Sequence, residues 1–470
     1  MFRPTLATSI RVCGRRQFAL LLVAAFCNSG APGKDATPAE AGRAESADEL
    51  NRHAIDLEQQ GRFAEAEAEF RLALNACRPT GCPLLAVILN NLGSTLQATA
   101  RYREAESVLR LAIQTMDADG RNAASPSPPA SLAPPASLAA ALVNLATVYR
   151  AETRYAEAGA LYERAMELRR ADPATAADEV PRLLTHMATL AQDMGALSRA
   201  EELIRRAQEG FLADGLLGGA GGRACLASLG AILASEGKFQ EAEQIDRRAL
   251  SLYRNQPLGV QYAAVLNSLG NVVAAGGRLQ EAEALLREAL SIWEKLLSPD
   301  HPSLASGLMN LGAVLQSRHR YEEAQRLMDR ALLIDTRSLP PDHPHIAVDL
   351  NNQAALLVAR KRYRSAEALL LRSASILERA LPSSDPRRGQ ILANLGNVYR
   401  LERRLPESRE NYERGIKILV AAWGPDDSRL LTWLDNYASV LHAVEEYAEA
   451  EKITLQAIRI RVIEARRRAD

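Results

Sequence analysis

The chain has 470 residues, of which 47% are hydrophobic and 24% are charged, proportions that are ordinary for a soluble protein. Lysine plus arginine equals aspartate plus glutamate at 57 each, and this balance argues against a dedicated nucleic-acid-binding protein, which would carry a basic excess. Aromatic residues make up only 5% of the chain, which favours thin, regularly packed helices over a large aromatic core.

The N-terminal segment differs in composition from the rest. Residues 1–18 carry four arginines and no acidic residue, and a short apolar run and several small residues follow. That order is typical of a secretory signal peptide, and the string RRQF at 15–18 resembles a twin-arginine export signal. We therefore predict a signal peptide over 1–31, a disordered linker over 32–44 and export from the cytoplasm. The alternative is a basic extension on a cytoplasmic protein.

An internal repeat occupies the remainder of the chain. A small residue recurs, mostly in a Glu-Ala-Glu-like segment and mostly at intervals of 42 residues. These marker positions are Ala66, Ala105, Ala158, Ala200, Ala242, Ala282, Ala324, Ala366, Ser408 and Ala450. Further small residues lie twelve positions before and seven after each marker, and a bulky apolar residue lies three before it. The pattern predicts pairs of amphipathic helices whose backbones approach closely and which must stack to bury their apolar faces.

The repeated string Asn-Leu-Gly, Tyr, Glu-Ala, Ala-Leu resembles the tetratricopeptide repeat, and the 42-residue period resembles the kinesin-light-chain subtype. The resemblance implies an all-α protein, a right-handed superhelix of about ten helical hairpins, and a bacterial source is expected. Residues 45–212 form the less regular N-terminal repeats, with a flexible Pro/Ala/Ser-rich insertion at 118–137. A glycine-rich joint at 213–222 precedes the regular array over 223–465.

A ladder of polar residues is the best candidate for function. One member lies two positions before the first small residue of nine repeats, in a helix whose neighbouring positions are mostly apolar. The members are Asn91, Asn144, His186, Ser228, Ser268, Asn310, Asn352, Asn394 and Asn436. In tetratricopeptide arrays this face lines the concave surface, so the resemblance implies that the amides grip the backbone of an extended peptide. An amide suits that role because it both donates and accepts. The alternative is that each amide bonds only its neighbours.

Other polar residues are expected to share this groove, namely Asn267, Asn271, Asn351, Asn397, Arg150 and Arg400. The two arginines would meet carboxylates of a ligand or are simply solvated. The predicted function is a scaffold that binds a protein or peptide. The alternative is a structural adaptor that acts through its convex face or end caps, including by self-association.

Two Asp-His-Pro loops invite a metal-binding interpretation. His301 and His343 are one repeat apart, roughly 10 Å by the spacing of packed helices, which is too far for them to ligate one ion. We predict instead that each loop starts a helix, with Pro302 and Pro344 in the first turn. No metal site and no cofactor are predicted.

The remaining chemistry-bearing residues predict no catalysis. Cys77 and Cys82 flank a short turn and form either a disulfide or two free thiols. The sequence contains no nucleophile elbow, phosphate-binding loop or zinc-protease motif, so we predict that the chain is not an enzyme. No transmembrane segment is predicted, and the Glu-Ala-Glu carboxylates are expected to lie on solvated helix faces.

Overall fold

The computed structural model describes residues 46–59, 62–77, 82, 84–122, 135–171, 177–253 and 259–469. The predicted signal peptide and linker lie outside these residues. The described chain forms ten consecutive helical hairpins, each with a first helix, A, and a second helix, B. They are α1 (Ala47–Gln59) with α2 (Phe63–Ala76), α3 (Leu85–Ala98) with α4 (Tyr102–Asn122), α5 (Pro135–Ala151) with α6 (Tyr155–Ala171), α7 (Glu179–Asp193) with α8 (Leu197–Ala213), α9 (Ala220–Ser235) with α10 (Phe239–Ser251), α11 (Val260–Ala275) with α12 (Leu279–Leu296), α13 (Pro302–Ser317) with α14 (Tyr321–Ser338), α15 (Pro344–Ala359) with α16 (Tyr363–Ala380), α17 (Pro386–Leu401) with α18 (Leu405–Trp423), and α19 (Leu431–Ala443) with α20 (Tyr447–Ala469).

The small residues of the repeat form the contact between the two helices of each hairpin, as predicted. The ten marker residues are all fully buried, from Ala66 to Ala450. In some hairpins the first small residue is glycine. There a side chain from the B helix fills the space that a side chain at the glycine position would need. A Cβ on Gly270 would lie 2.8 Å from Leu286 Cγ, and a Cβ on Gly93 would lie 2.5 Å from Leu109 Cγ. The close approach of the helices therefore depends on these small residues.

The bulky residue before each marker is the first residue of a B helix in all ten described hairpins. The surroundings of this residue differ between hairpins, since the side chains of Phe239 and Tyr447 are 42% and 60% exposed. Tyr102 and Tyr155 instead pack against a core cluster built from hairpins 7 to 9.

The turn between the helices has one conformation throughout. The residue five positions before the marker has positive φ in hairpins 2 to 10, for example 61° at Thr153 and 79° at Gly277. The N–H of Arg278 bonds the carbonyl of Val273, and the N–H of Gly277 bonds the carbonyl of Ala274. This is the Schellman arrangement, which satisfies two of the carbonyls at the end of the A helix.

Two predicted irregular segments are partly helical. The insertion at 118–137 is shorter than predicted, because α4 continues to Asn122 and α5 begins at Pro135; residues 123–134 lie outside the described chain. The glycine-rich joint is not loose at its end, since α9 begins at Ala220. A Cβ on Gly222 would lie 2.3 Å from the carbonyl oxygen of Leu217, so glycine is required there.

Contacts divide the chain into two compact units. The first contains the described residues up to Leu96 with Arg103–Ala141, and the second contains Gln97–Tyr102 with Leu142 onward. In the first unit, the structure joins Cys77 to Cys82 as a disulfide with Cα atoms 5.3 Å apart. No helix among the described residues combines the length and apolarity needed to cross a membrane.

Candidate functional site

The loops that precede four A helices of the second unit make two kinds of contact. Each loop residue caps the helix that follows it, which for Asp427 is the short 3-10 helix Ser428–Leu430 just before α19. The same short segment reaches a carbonyl at the end of an A helix five hairpins earlier. We call these four the long-range cap contacts. They begin at His301, His343, Asp385 and Asp427.

Two long-range cap contacts use histidine. Nδ1 of His301 accepts a hydrogen bond from the N–H of Ser303, and Nε2 lies 2.9 Å from the carbonyl oxygen of Ala98. In the same way Nε2 of His343 lies 2.8 Å from the carbonyl oxygen of Ala151. Because Nδ1 must accept, the neutral tautomer with a proton on Nε2 satisfies both bonds. Burial lowers the pKa of His343 to about 4, which favours this neutral form.

The other two contacts use an aspartate and an arginine. Asp385 accepts from the N–H of Arg387 and also holds its guanidinium, which donates to the carbonyl of Asp193 over 3.0 Å. Asp427 holds Arg429 in the same manner, and Arg429 donates to the carbonyl of Ser235 over 2.9 Å. An ionised aspartate has no proton to donate to a carbonyl oxygen, so the arginine that it holds supplies the donor.

The prediction that the Asp-His-Pro loops start helices is confirmed, since Pro302 and Pro344 are the first residues of α13 and α15. The long-range partners were not predicted. The regular 42-residue spacing of the loops was visible, but it does not reveal which earlier hairpin they meet. Among the described residues, no group of three or more His, Cys, Asp or Glu side chains is placed to hold a metal ion.

The asparagine ladder forms bridges between neighbouring A helices. Nδ2 of Asn310 donates to Oδ1 of Asn267 over 3.0 Å, and Nδ2 of Asn394 donates to Oδ1 of Asn351 over 2.8 Å. In the first unit Asn91 donates to Asn51, which the sequence pattern had not singled out. Each amide therefore contributes to the stacking of hairpins. An amide has two N–H groups and an oxygen, so one such bond leaves capacity for a ligand.

The other ladder residues vary in their surroundings. Asn394 also accepts from Nε1 of Trp433 over 3.3 Å. Asn436 faces the hydroxyl of buried Tyr412, whose pKa desolvation raises to about 12. Asn144 and Asn352 are partly buried, and Asn271 is exposed.

The two groove arginines are partly buried, and each is hydrogen-bonded within the protein. Arg150 donates from Nη1 to Oδ2 of Asp193 over 2.8 Å, and 27% of its side chain is exposed. Arg400 donates from Nη2 to Oδ1 of Asn397 over 2.9 Å. A ligand carboxylate would have to compete with these partners, so the arginines are weaker candidates for binding than the sequence indicated.

The expectation that the Glu-Ala-Glu carboxylates are solvated is wrong for several repeats. Oε1 of Glu283, which is 3% exposed, accepts from Arg320 of the next hairpin over 2.8 Å. It also pairs with Arg287 and Arg318. Glu243 pairs with Arg278 in the same relation. These ion pairs connect successive hairpins, because the basic residue before one B helix meets the glutamate of the preceding B helix.

A cavity of about 580 Å³ opens between the A helices α7, α9 and α11 of the second unit. Two ladder serines and two predicted groove asparagines line it, and Gln192 and the exposed ring of Phe239 contribute to its wall. These four are Ser228, Ser268, Asn267 and Asn271. The cavity therefore brings these four predicted residues together.

The stacked hairpins define an α-solenoid, a class of repeat protein in which each unit contacts its neighbours along the chain. A family model described as the tetratricopeptide repeat matches residues 45–118, 137–213, 222–295, 261–316, 303–379 and 387–461. The chain belongs to the tetratricopeptide repeat family and is therefore a protein-interaction scaffold. No curated protein matches the sequence.

Solved structures of other proteins are similar to this chain. A candidate kinesin light chain from Podosopora anserina with nearly identical TPR-like repeats is 23% identical, covering 42% of this chain and 93% of that one, with a TM-score of 0.34. The Rap conjugation gene regulator of plasmid pLS20, in complex with the Phr* peptide, is 14% identical, covering 80% and 95%, with a TM-score of 0.51. A Rap protein complexed with Competence and Sporulation Factor is 14% identical, covering 77% and 99%, with a TM-score of 0.50.

Proposed function

We propose that the chain holds an extended peptide of a partner protein against the inner face of its A helices, with amides of the ladder and of the neighbouring groove positions bonding the peptide backbone. The observation that carries the proposal is the cavity between α7, α9 and α11, whose wall includes Asn267 and Asn271. Peptide backbones present alternating donors and acceptors, and an amide side chain complements both. The two Rap structures, which share the solenoid fold, are described as complexes with Phr* peptide and with Competence and Sporulation Factor.

The test removes the amides from the cavity wall. We expect Asn267→Ala with Asn271→Ala to weaken binding of the partner at least tenfold, because two hydrogen-bonding side chains that contact the peptide would be lost. Partners are first identified by affinity purification with the full chain, and each is then titrated by isothermal calorimetry. A second pair, Asn352→Ala with Asn394→Ala, tests the regular part of the ladder.

The matched control is Asn411→Ala, which removes an amide that bonds the carbonyl of Glu407 within helix α18. It should leave the affinity unchanged. If both double variants bind every purified partner with the affinity of the wild type, the groove proposal fails.

Self-association is the second candidate function, and one observation favours it. The last described helix, α20, exposes four large apolar side chains, Tyr447, Leu455, Ile458 and Val462, by 45–60%. An exposed apolar face of this kind is typical of an interaction surface. Leu455→Glu with Ile458→Glu should then abolish a concentration-dependent mass in multi-angle light scattering. A mass that stays monomeric in the wild type at all concentrations contradicts this function.

We also propose export, on the basis of the N-terminal sequence. The basic, apolar and small-residue order of residues 1–31 supports cleavage near position 31. N-terminal sequencing of the protein from separated cell fractions tests it. Recovery of a chain that begins at Met1, in the cytosol alone, contradicts export.

A further inference from the structure

Two aspartates are buried in the interface between hairpins 7 and 8. Asp335 belongs to α14 and Asp349 to α15, and only 3% and 5% of the two residues are exposed. Asp335 lies eleven residues after the marker of its own hairpin, and Asp349 lies seventeen before the marker of the next one. The repeat therefore allows the same two positions to be compared at other interfaces.

The neighbouring interfaces show that these two positions pack against each other. Between hairpins 6 and 7 they hold Trp293 and Gly307, and a Cβ on Gly307 would lie 2.9 Å from Cζ3 of the Trp293 ring. Between hairpins 8 and 9 they hold Leu377 and Ile391, which belong to one core cluster. Hairpins 7 and 8 thus place two carboxyl groups where the adjacent interfaces pack apolar groups together.

The two carboxyl groups lack hydrogen-bond partners inside this interface. Oδ1 of Asp335 and Oδ2 of Asp349 are both buried and unbonded. Burial raises the pKa of Asp335 to about 7, and burial together with the charge of Asp335 raises that of Asp349 to about 8. A protonated carboxyl group can donate to the other one, whereas two carboxylates can only accept, and they repel. The neutral pair is therefore the form that suits this interface.

The groups around the pair do not compensate two negative charges. Tyr102, at the start of α4, faces Asp335. Burial raises the pKa of Tyr102, the charge of Arg150 opposes this rise, and the charges of Asp335 and Glu152 add to it. Helices α13 and α16 pack on α14 and α15, yet within the described chain they contribute none of the groups that shift either carboxyl pKa.

We propose that Asp335 and Asp349 form a pH-sensitive switch, which holds hairpins 7 and 8 together while both carboxyl groups are protonated and separates them when both ionise. The protons pass to the solvent, and the two carboxylates are left repelling each other in a layer that solvates them poorly. The loop between α14 and α15 carries His343, so their separation also weakens the bond between Nε2 of His343 and the carbonyl of Ala151.

The experiment compares the wild type with the double variant Asp335→Leu with Asp349→Ile, which copies the interface between hairpins 8 and 9. Both carboxyl pKa values are raised on folding, so their contribution to stability is complete below about pH 4 and is lost as pH rises through the folded-state values. From pH 6.5 to pH 9 the thermal midpoint of the wild type should fall by about 5 °C or more beyond any fall in the double variant. Hydrogen-exchange protection of α14 and α15 should fall at least tenfold in the wild type alone.

One other buried carboxyl group responds to pH in the same direction. Asp246 of α10 is fully buried, neither of its oxygens is bonded, and burial raises its pKa to about 7. Asp246 is present in both proteins and lies in another hairpin, so the difference between the two proteins reports the pair alone.

The matched control is Asp329→Asn, which changes an acidic side chain of α14 that accepts from Nε2 of Gln353 on α15 over 3.0 Å. It should keep the pH dependence of the wild type. A further variant, Asp349→Asn, nearly preserves the shape of the pair, and its amide donates to Asp335. It should remove most of the pH dependence, which gives the test a second variant should the apolar pair fail to fold.

Infrared difference spectra report protonation directly. The carbonyl band of protonated carboxyl groups that disappears from pH 6.5 to pH 9 should be larger in the wild type than in the double variant. If the wild type and the variants share one pH dependence of midpoint and exchange, the switch is refuted. A wild type that loses this band while the protection of α14 and α15 stays constant refutes it as well, because the pair would then ionise without separating the hairpins.

Discussion

At the scale of single residues, the turn of each hairpin requires one backbone conformation that most side chains disfavour. Thr153 has φ of 61° and Lys361 has φ of 58°, whereas hairpins 4 to 6 place glycine at the same point, as at Gly237. A side chain in this left-handed region costs about 1–2 kcal/mol relative to glycine. The Schellman hydrogen bonds hold these residues there despite that cost.

Thr153→Gly is therefore expected to raise the free energy of unfolding by about 0.5–1 kcal/mol, since relief of the strain exceeds the extra chain entropy of glycine. Urea denaturation followed by circular dichroism measures the change. Ala151→Gly, two residues earlier in the helix, should lower stability by a similar amount. A destabilised Thr153→Gly would contradict the strain argument.

A second prediction at this scale concerns the stability of the protein as pH falls. His343 has a folded-state pKa of about 4, below the ordinary value of 6.5. Burial lowers this pKa most, and the nearby charges of His345 and Arg387 lower it further, whereas the charge of Asp193 raises it. The bond to the Ala151 carbonyl acts in the opposite direction to burial. A lowered histidine pKa means that the fold prefers the neutral ring, so the contribution is complete above pH 6.5 and is lost as pH falls toward 4.

His343→Asn should keep the helix cap without the titration. We expect its stability to fall less steeply than that of the wild type between pH 6.5 and 4, measured as urea midpoints across the range. An unchanged slope would show that His343 does not titrate in this window. The pKa of Asp246 is raised, so its effect on stability has the opposite pH dependence. Its contribution to the free energy of unfolding is lost as pH rises from about 4 toward 7.

At the scale of helices, the sequence predicted the elements well and their long-range partners poorly. The period of 42 residues located all ten described hairpins, because small and bulky residues mark the same points in each. The long-range cap contacts could not be found this way, since they depend on the rotation between successive hairpins. Asp246 could have been noticed as a break in the apolar pattern, but only the structure shows its missing partners.

The histidine and the aspartate–arginine forms of the long-range cap contacts should be interchangeable. His343→Asp keeps the cap but loses the donor to the Ala151 carbonyl, because residue 345 is histidine rather than arginine. We expect a loss of about 1–3 kcal/mol, the cost of an unsatisfied buried group. Adding His345→Arg recreates the arrangement of Asp385 and Arg387 and should recover most of the loss.

Chemical denaturation of the single and double variants decides this point. The control is His345→Arg alone, in which the histidine cap still bonds Ala151 and little gain is expected. A double variant no more stable than His343→Asp would mean that the two kinds of contact are not equivalent.

At the scale of the whole molecule, the long-range cap contacts change how the second unit should unfold. Solenoid repeats ordinarily contact only adjacent repeats, so their ends fray independently. Here Arg387 and Arg429 connect hairpins 9 and 10 to Asp193 and Ser235 of hairpins 4 and 5. Such bonds couple distant hairpins, and we expect the unit to unfold in one cooperative step.

Arg387→Ala with Arg429→Ala should make that transition broader, with a lower denaturant m-value than the wild type, because hairpins could then open separately. Native-state hydrogen exchange would locate the early opening in hairpins 9 and 10. The comparison variant is Arg414→Ala, which removes only an exposed pair with Glu410 within one helix. If the double variant keeps the wild-type m-value and merely shifts the midpoint, the contacts stabilise without coupling.

The cap on Ala98 has a further consequence, which concerns synthesis on the ribosome. Its partner His301 lies 203 residues later in the chain. At roughly 5–20 residues per second, about 10–40 s of translation separate the two. During that interval the carbonyl ends of the early A helices face water or chaperones. The hairpins can form as they emerge, but the four long-range cap contacts can form only after residues 301, 343, 387 and 429 have been made. A chain truncated before these residues would therefore leave the carbonyl ends of the earlier A helices without their hydrogen-bond donors.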